Sequence, residues 1–164
     1  MKLKASVIAA FIVATTLTPA QAAPIYVFPV VGCDYTYAKA HHDYPATDIL
    51  AKAGCKYVAV TSGVIDEVNR IDSWSGKTNL GVDRGGLYVS FIGDDGVRYY
   101  ASHLRTIPAS IQPGVAVKAG RLLGTVGATG SARGTKPHIH FGLSWSTPPQ
   151  TWWVRRGMVW PWKY

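Results

Sequence analysis

Short β-type runs, separated by turns rich in glycine, aspartate and proline, limit the fold of this chain more than any other feature. The clearest runs are KYVAVT at 56–61, VIDEVNR at 64–70, LLGTV at 122–126 and HIHFGLSW at 138–145. The sustained 3.6-residue periodicity of a long helix is absent from the sequence. This pattern predicts an all-β fold, a compact antiparallel β-sheet of sandwich or split-barrel type with few or no helices.

Two neighbouring runs predict a β-hairpin. They are LYVSFI at 87–92 and VRYYASH at 97–103, and they flank the turn sequence GDDG at 93–96. Residues 34–44 are polar and aromatic without alternation, so we expect a loop there. Residues 71–86, rich in serine, aspartate and glycine, predict a long exposed loop.

The first 22 residues have the layout of a secretory signal peptide. Lys2 and Lys4 form a basic start, an apolar run covers 5–17, and an A-x-A cleavage site lies at 20–22. The apolar run is too short for a membrane span. We therefore expect residues 1–22 to be removed and the protein to be secreted, periplasmic or associated with the cell wall.

Cleavage after Ala22 would leave 142 residues, enough for one core, so residues 23–164 are predicted to form a single domain. We also expect this domain to be a monomer. Its tail, 146–164, holds four of the six tryptophans. The formal net charge of the full chain is +8, and removal of the two leader lysines would leave +6. Such a charge favours anionic wall polymers or lipid head groups over nucleic acid as partners. The mature part has no run long enough for a stable membrane span.

Cys33 and Cys55 are the only cysteines of the chain. In an exported protein such a pair is expected to form a disulfide, and thiolate metal ligands are the less favoured alternative. The closed loop would stabilise the fold by about 3 kcal/mol according to the chain-entropy model.

The five histidines fall in three short segments. His138 and His140 lie two residues apart in a β-type run, so their side chains point to the same face of a strand. Ile139 and Phe141 then point to the opposite face, toward a core. His103 ends the second strand of the predicted hairpin.

The remaining histidines, His41 and His42, precede Asp48. A catalytic zinc site needs three protein ligands and one open position, and imidazole and carboxylate both suit zinc. The candidate ligands are His140, Asp48 and either His41 or His42. The other two histidines, His103 and His138, would act as general base, proton donor or oxyanion stabiliser.

Three motifs surround these histidines. They are HHDYPATDI at 41–49, YASHL at 100–104, and a third that runs from GVAVKAG at 114–120 through several glycines to PHIHF at 137–141. In this order and spacing they resemble the motifs of the lysostaphin-type (LytM-like) zinc endopeptidases, which cleave peptide cross-links in bacterial cell wall. The resemblance implies that family's antiparallel β fold, the duplicated hybrid motif, with the site in a groove along the sheet.

The resemblance also implies a role for each site residue. Asp48 and His140 match the zinc-binding aspartate and the ligand histidine of the family's H-x-H motif. His103 and His138 match its two catalytic histidines that do not bind metal. Loops 71–86 and 128–136, together with Trp74 and Tyr99 or Tyr100, are candidate groove walls.

The first zinc histidine is where this sequence departs from the family pattern. That histidine commonly lies four residues before the aspartate, and this chain has Tyr44 at that position. An insertion of two residues would make the ligand His42, and an insertion of three would make it His41. We favour His42, because an even insertion more easily keeps the side-chain direction, and His41 stays open.

The resulting hypothesis is a secreted zinc metalloendopeptidase that hydrolyses peptide bonds in peptidoglycan, in the stem peptide or the cross-bridge. One zinc ion per chain is the expected cofactor, and peptidoglycan peptides are the expected substrate. The first alternative is a non-catalytic wall-binding or regulatory module on the same fold. The second is a small exported metal-binding protein without hydrolytic activity.

Overall fold

The computed structural model of the chain describes residues 23–41 and 44–163. Within these ranges the chain forms ten strands, with pairings that are antiparallel throughout. In chain order they are β1 (Val30–Val31), β2 (Tyr35–Tyr37), β3 (Thr47–Ala51), β4 (Lys56–Val58), β5 (Gly63–Asn69), β6 (Tyr88–Gly93), β7 (Arg98–Ser102), β8 (Ala116–Val117), β9 (Leu122–Thr125) and β10 (His138–Ser144). One four-residue α-helix, α1 (Trp152–Arg155), and four 3₁₀ turns complete this part of the chain.

The strands form two sheets. The larger has the order β2-β3-β10-β7-β6-β5-β8, and the smaller has the order β1-β4-β9. One apolar core joins them, with Tyr57 and Leu123 from the smaller sheet and Phe91 and Ile139 from the larger, all of them fully buried. The all-β antiparallel prediction is confirmed, and β10 lies near the middle of the larger sheet.

The predicted hairpin forms from β6 and β7. The Gly93 amide donates to the Val97 carbonyl at 2.8 Å across the turn. Gly96 has a φ of 79°, a left-handed conformation that glycine adopts without steric cost. This hairpin places the end of β7 beside β10.

The loop prediction for residues 34–44 is wrong in part, because Tyr35–Tyr37 forms β2 and pairs with β3. All three residues of β2 are exposed, since the strand lies at the sheet edge. Alternation between buried and exposed positions is the signal that sequence reading relies on, and it does not exist in such a strand. The Cys33–Cys55 disulfide is confirmed, with Cα atoms 6.0 Å apart.

The tail crosses the outer part of β10. After α1, the amides of Met158 and Val159 donate to the Leu143 carbonyl at 2.8 and 3.2 Å. Trp153 remains about half exposed. Among the described residues, no helix has the length and apolar character that a membrane crossing requires.

Candidate metal centre

The register of the larger sheet brings the site residues together. In β10, His140 lies directly opposite Asp48 of β3 on one side and Ser102 of β7 on the other. His103 follows Ser102 and is therefore also a neighbour of His140. The alternation predicted for β10 is confirmed, since Ile139 and Phe141 are buried in the core.

Three side chains form a group of metal-type donors: His41, Asp48 and His140. Asp48 Oδ1 lies 3.1 Å from His140 Nδ1 and 4.0 Å from His41 Nε2, and the three donor atoms all lie within 4.8 Å of one another. His42, the residue that the sequence favoured as the first ligand, lies outside the described residues. The described geometry thus brings His41 to the site.

The hydrogen bonds of His140 test whether this donor set fits a metal ion. Its Nε2 lies 2.8 Å from the Arg156 carbonyl oxygen, which can only accept, so Nε2 carries a proton. When Nε2 carries the only proton of the ring, Nδ1 is a lone pair 3.1 Å from the Asp48 carboxylate. Either a second proton on Nδ1, which hydrogen-bonds to Asp48, or a metal ion in its place would stabilise this pair of acceptors. Two imidazoles and a carboxylate are a donor set that zinc accepts, so the residues fit the ion.

The Asp48 carboxyl is ionised at neutral pH. Partial burial would raise its pKa, but the hydrogen bond with His140 and the nearby imidazoles lower the pKa to about 2. An ionised carboxylate is the form that ligates a metal ion.

His103 is held in an unusual conformation. Its φ of 64° lies in the left-handed region, which residues other than glycine rarely adopt, although asparagine, aspartate and histidine do so more often than most. Its Nδ1 donates to the Thr129 carbonyl at 2.8 Å. Burial, together with the charges of His140 and His138, lowers the His103 pKa to about 3, so the ring is neutral with its lone pair on Nε2.

His138 has the same tautomer for the same reason. Its Nδ1 donates to the Lys136 carbonyl at 2.7 Å, which leaves the neutral ring's lone pair on Nε2. The His138 and His103 rings lie edge to face with centroids 5.0 Å apart. Two acceptor nitrogens are therefore positioned beside the metal-type donors.

All of these side chains line one cleft of about 420 Å³. Residues from both predicted wall loops contribute to it, namely Arg84 and Gly85 from 71–86, and Ser131, Ala132, Thr135 and Lys136 from 128–136. Tyr99 is not a wall residue, because it is buried in the core and stacks on Phe91. Tyr100 is buried as well, with its ring centroid 6.2 Å from that of His140.

The two wall loops are tied together by Asp72. Its Oδ2 accepts from the Gly130 amide at 3.1 Å and from Arg133 Nε at 3.0 Å. The Arg133 guanidinium also lies over the Trp74 ring, 5.6 Å from its centroid. Trp74 does not line the cleft itself, and it contacts the second wall loop through Arg133.

Sequence reading missed the main-chain carbonyls of Thr129 and Arg156, which orient His103 and His140. Every residue type has such a carbonyl, so no residue pattern marks one. The one available signal was Gly142, where an added Cβ would overlap the Arg156 carbonyl.

A three-donor metal group with two further histidines, on an antiparallel sheet and in an open cleft, is typical of a metal-dependent hydrolase. The family comparison is specific: residues 42–151 match the family model of peptidase family M23. The chain belongs to peptidase family M23, and the resemblance to lysostaphin-type peptidases is confirmed.

Several solved structures are similar to this chain. The catalytic domain of the antimicrobial peptidase lysostaphin from Staphylococcus simulans is 27% identical, with a TM-score of 0.55 over 71% of this chain and 85% of that one. A mutant catalytic domain of the prophage-encoded M23 protein EnpA from Enterococcus faecalis is 24% identical, with a TM-score of 0.55 over 74% of this chain and 88% of that one. Helicobacter pylori Csd3 is 19% identical, with a TM-score of 0.55 over 85% of this chain and 33% of that one. No curated protein sequence matches the chain significantly.

Proposed function

We propose that this protein is an exported zinc metalloendopeptidase that hydrolyses peptide bonds in bacterial peptidoglycan. One observation carries the proposal. Three metal-type donors meet two further histidines, whose Nε2 atoms are acceptors, in a single open cleft. Membership of peptidase family M23 supports peptide hydrolysis as the reaction.

The metal ligands in this proposal are His41, Asp48 and His140. A zinc ion held there would supply a Lewis acid for the peptide carbonyl and a water of lowered pKa as nucleophile. The ionised Asp48 contributes one negative charge to the site, and the two neutral imidazoles contribute none. A net charge of +1 would remain to favour a developing oxyanion.

In this proposal His138 transfers protons and His103 orients the nucleophilic water. His138 is partly exposed to the cleft, so its Nε2 takes up a proton from the nucleophilic water and delivers it to the leaving amine. The low pKa of His103 prevents it from keeping a proton, so its Nε2 accepts a hydrogen bond and orients the water. The Thr129 carbonyl holds that ring in place.

Peptidoglycan as substrate rests on the lysostaphin-type motifs and on charge. Without the two leader lysines the exported domain would keep a formal net charge of +6, which favours an anionic wall. Export rests on the leader at 1–22, which lies outside the described residues. Cleavage after Ala22 would deliver the domain to the compartment that holds this substrate and in which the disulfide is stable.

Incubation of the mature protein with purified peptidoglycan tests the proposal. We expect new peptide termini, detected by mass spectrometry, that vanish with a chelator and return when zinc is added. His138→Ala should retain zinc and lose activity by a factor of about 10² or more, because only the proton acceptor is removed.

Two results would contradict the enzyme. Full hydrolysis by metal-free protein would remove the metal from the mechanism. Stoichiometric zinc without cleavage of any wall type would favour the non-catalytic wall-binding module, since some members of this family are inactive.

A further inference from the structure

The tail beyond the family-matched residues 42–151 reaches the metal centre. We propose that Arg156 is a positioning residue, whose main-chain carbonyl holds His140 in the orientation and tautomer that present Nδ1 to the metal. This role rests on the proposed metal site. It assigns a function to a part of the chain that the family match does not include.

The hydrogen bond itself is the first argument. His140 Nε2 lies 2.8 Å from the Arg156 carbonyl oxygen, and His140 is 4% exposed, so water does not compete for the bond. The Tyr44 hydroxyl lies 3.4 Å from the same Nε2, farther away than the carbonyl, and a hydroxyl can donate as well as accept. Without the carbonyl, Tyr44 could donate to Nε2, and a neutral His140 would place its proton on Nδ1 and donate to Asp48, 3.1 Å away. That tautomer would block both donor atoms for a metal ion. The carbonyl therefore selects the metal-binding form of the ring.

Gly142 makes the close approach of the tail possible. It lies two residues after His140 on the same face of β10, and an added Cβ would overlap the Arg156 carbonyl carbon and oxygen. Any other residue at this position would push the carbonyl away from His140. The absence of a side chain at Gly142 of β10 therefore leaves the space that the Arg156 carbonyl of the tail occupies.

The Arg156 side chain anchors the carbonyl from the other direction. Its guanidinium donates to the Gly81 carbonyl in wall loop 71–86 and lies 4.7 Å from the centroid of the Trp152 ring. An added Cβ at Gly81 would overlap the same Trp152 ring, so the loop and α1 are in tight contact. One residue therefore joins the wall loop, the tail and a metal ligand.

The first test uses metal-free protein with ¹⁵N-labelled histidine, in long-range ¹H–¹⁵N spectra at a pH where the imidazoles are neutral. We expect His140 as the Nε2–H tautomer in the wild-type protein. In Gly142→Ala we expect a shift toward the Nδ1–H form and a zinc dissociation constant raised about 10- to 100-fold. Gly76→Ala is the matched control, because a Cβ there meets only the Trp74 ring, at 3.6 Å.

The Arg156→Ala variant keeps the carbonyl and removes its anchor, without any change in β10. It should show a smaller shift of His140 toward the Nδ1–H tautomer and a smaller rise in the zinc dissociation constant than Gly142→Ala. An Nδ1–H tautomer of His140 in the wild-type protein would overturn the proposal, even if Gly142→Ala fails to fold. Folded Gly142→Ala with unchanged tautomer and zinc affinity would also overturn it. Correct tautomer and zinc affinity without wall cleavage would instead contradict the peptidase and leave this positioning role intact.

Discussion

Asp48 and His140 face each other across β3 and β10, with Oδ1 and Nδ1 3.1 Å apart. The arrangement follows from strand register, because directly opposed residues of an antiparallel pair project to the same face. Strand pairing thus places the two donors side by side before any ion binds. The third donor, His41, comes from the segment before β3.

The Asp48→Asn substitution tests the carboxylate as a ligand at nearly constant volume. An amide oxygen is neutral and a weak donor for zinc, so the zinc dissociation constant should rise at least about tenfold and wall hydrolysis should be lost. Isothermal titration with zinc gives the constant. Asp94→Asn, in the exposed hairpin turn, is the control and should change neither quantity. Equal zinc affinity in both variants would argue against Asp48 as a ligand.

Separate His41→Ala and His42→Ala variants decide the first histidine ligand. His41 Nε2 lies 4.0 Å from Asp48 Oδ1, within the donor group, so His41→Ala should lower zinc stoichiometry and abolish hydrolysis. His42→Ala should retain zinc. Metal analysis of the dialysed proteins measures the outcome, and the reverse result would assign the ligand to His42.

His103→Asn tests the buried imidazole through pH. Asparagine tolerates the φ of 64°, so the backbone should persist while hydrolysis falls by about 10²-fold or more. In metal-free wild-type protein the His103 pKa falls from 6.5 to about 3 on folding, so the folded state binds fewer protons between these values. Its contribution to stability is therefore complete above pH 6.5 and is lost by about 1.4 kcal/mol per pH unit as the pH falls toward 3.

Urea unfolding of His103→Asn and of the wild-type protein at several pH values measures how the free energy of unfolding of each changes with pH. The variant should lose less stability on acidification, because its residue 103 does not titrate. If the free energy of unfolding of the two proteins changes with pH in the same way, burial does not lower the pKa of His103.

The Cys33→Ser/Cys55→Ser double variant tests the disulfide. The bridge spans a sequence separation of 22 and encloses His41 and Asp48. Its loss should lower the free energy of unfolding by about 3 kcal/mol, measured with urea. The wild-type protein in reductant should have the same free energy of unfolding as the variant. If neither differs from the oxidised wild-type protein, the bridge does not stabilise the fold by restricting the conformations of the unfolded chain.

Side-chain chemistry and alternation allowed the sequence to predict the central features. The alternation of His138 to Phe141 predicted which face of β10 is buried. The convergence of Asp48, His103 and His140 was implied by the resemblance of their three motifs to those of the lysostaphin-type peptidases. The hairpin of β6 and β7 was predictable because its turn is rich in glycine and aspartate.

The remaining features depend on contacts that leave no residue pattern. The edge strand β2 has no buried face, so it carries no alternation. The carbonyls that orient His103 and His140 belong to Thr129 and Arg156, and their positions follow from tertiary packing. The choice between His41 and His42 depends on the path of the chain before Pro45, which residue spacing alone does not determine.

Asp72 joins the two wall loops, and Asp72→Ala tests what that connection does. The carboxylate accepts from the Gly130 amide and from Arg133, next to the Thr129 carbonyl that holds His103. Because Arg133 is about half exposed, the ion pair should contribute only about 1 kcal/mol or less to stability. The proposed ligands lie outside both loops, so zinc affinity should be unchanged.

Hydrolysis of a defined wall peptide should nevertheless weaken, since the loops would no longer keep a fixed distance and His103 would lose its orientation. We expect kcat/KM to fall about tenfold with a rise in KM, because a displaced wall weakens substrate binding as well as the chemical step. Asp83→Ala in the same loop is the matched control and should leave kcat/KM within about twofold of the wild-type value. A loss of zinc in Asp72→Ala would instead place Asp72 in the support of the metal site, and an unchanged kcat/KM would show that the walls act independently.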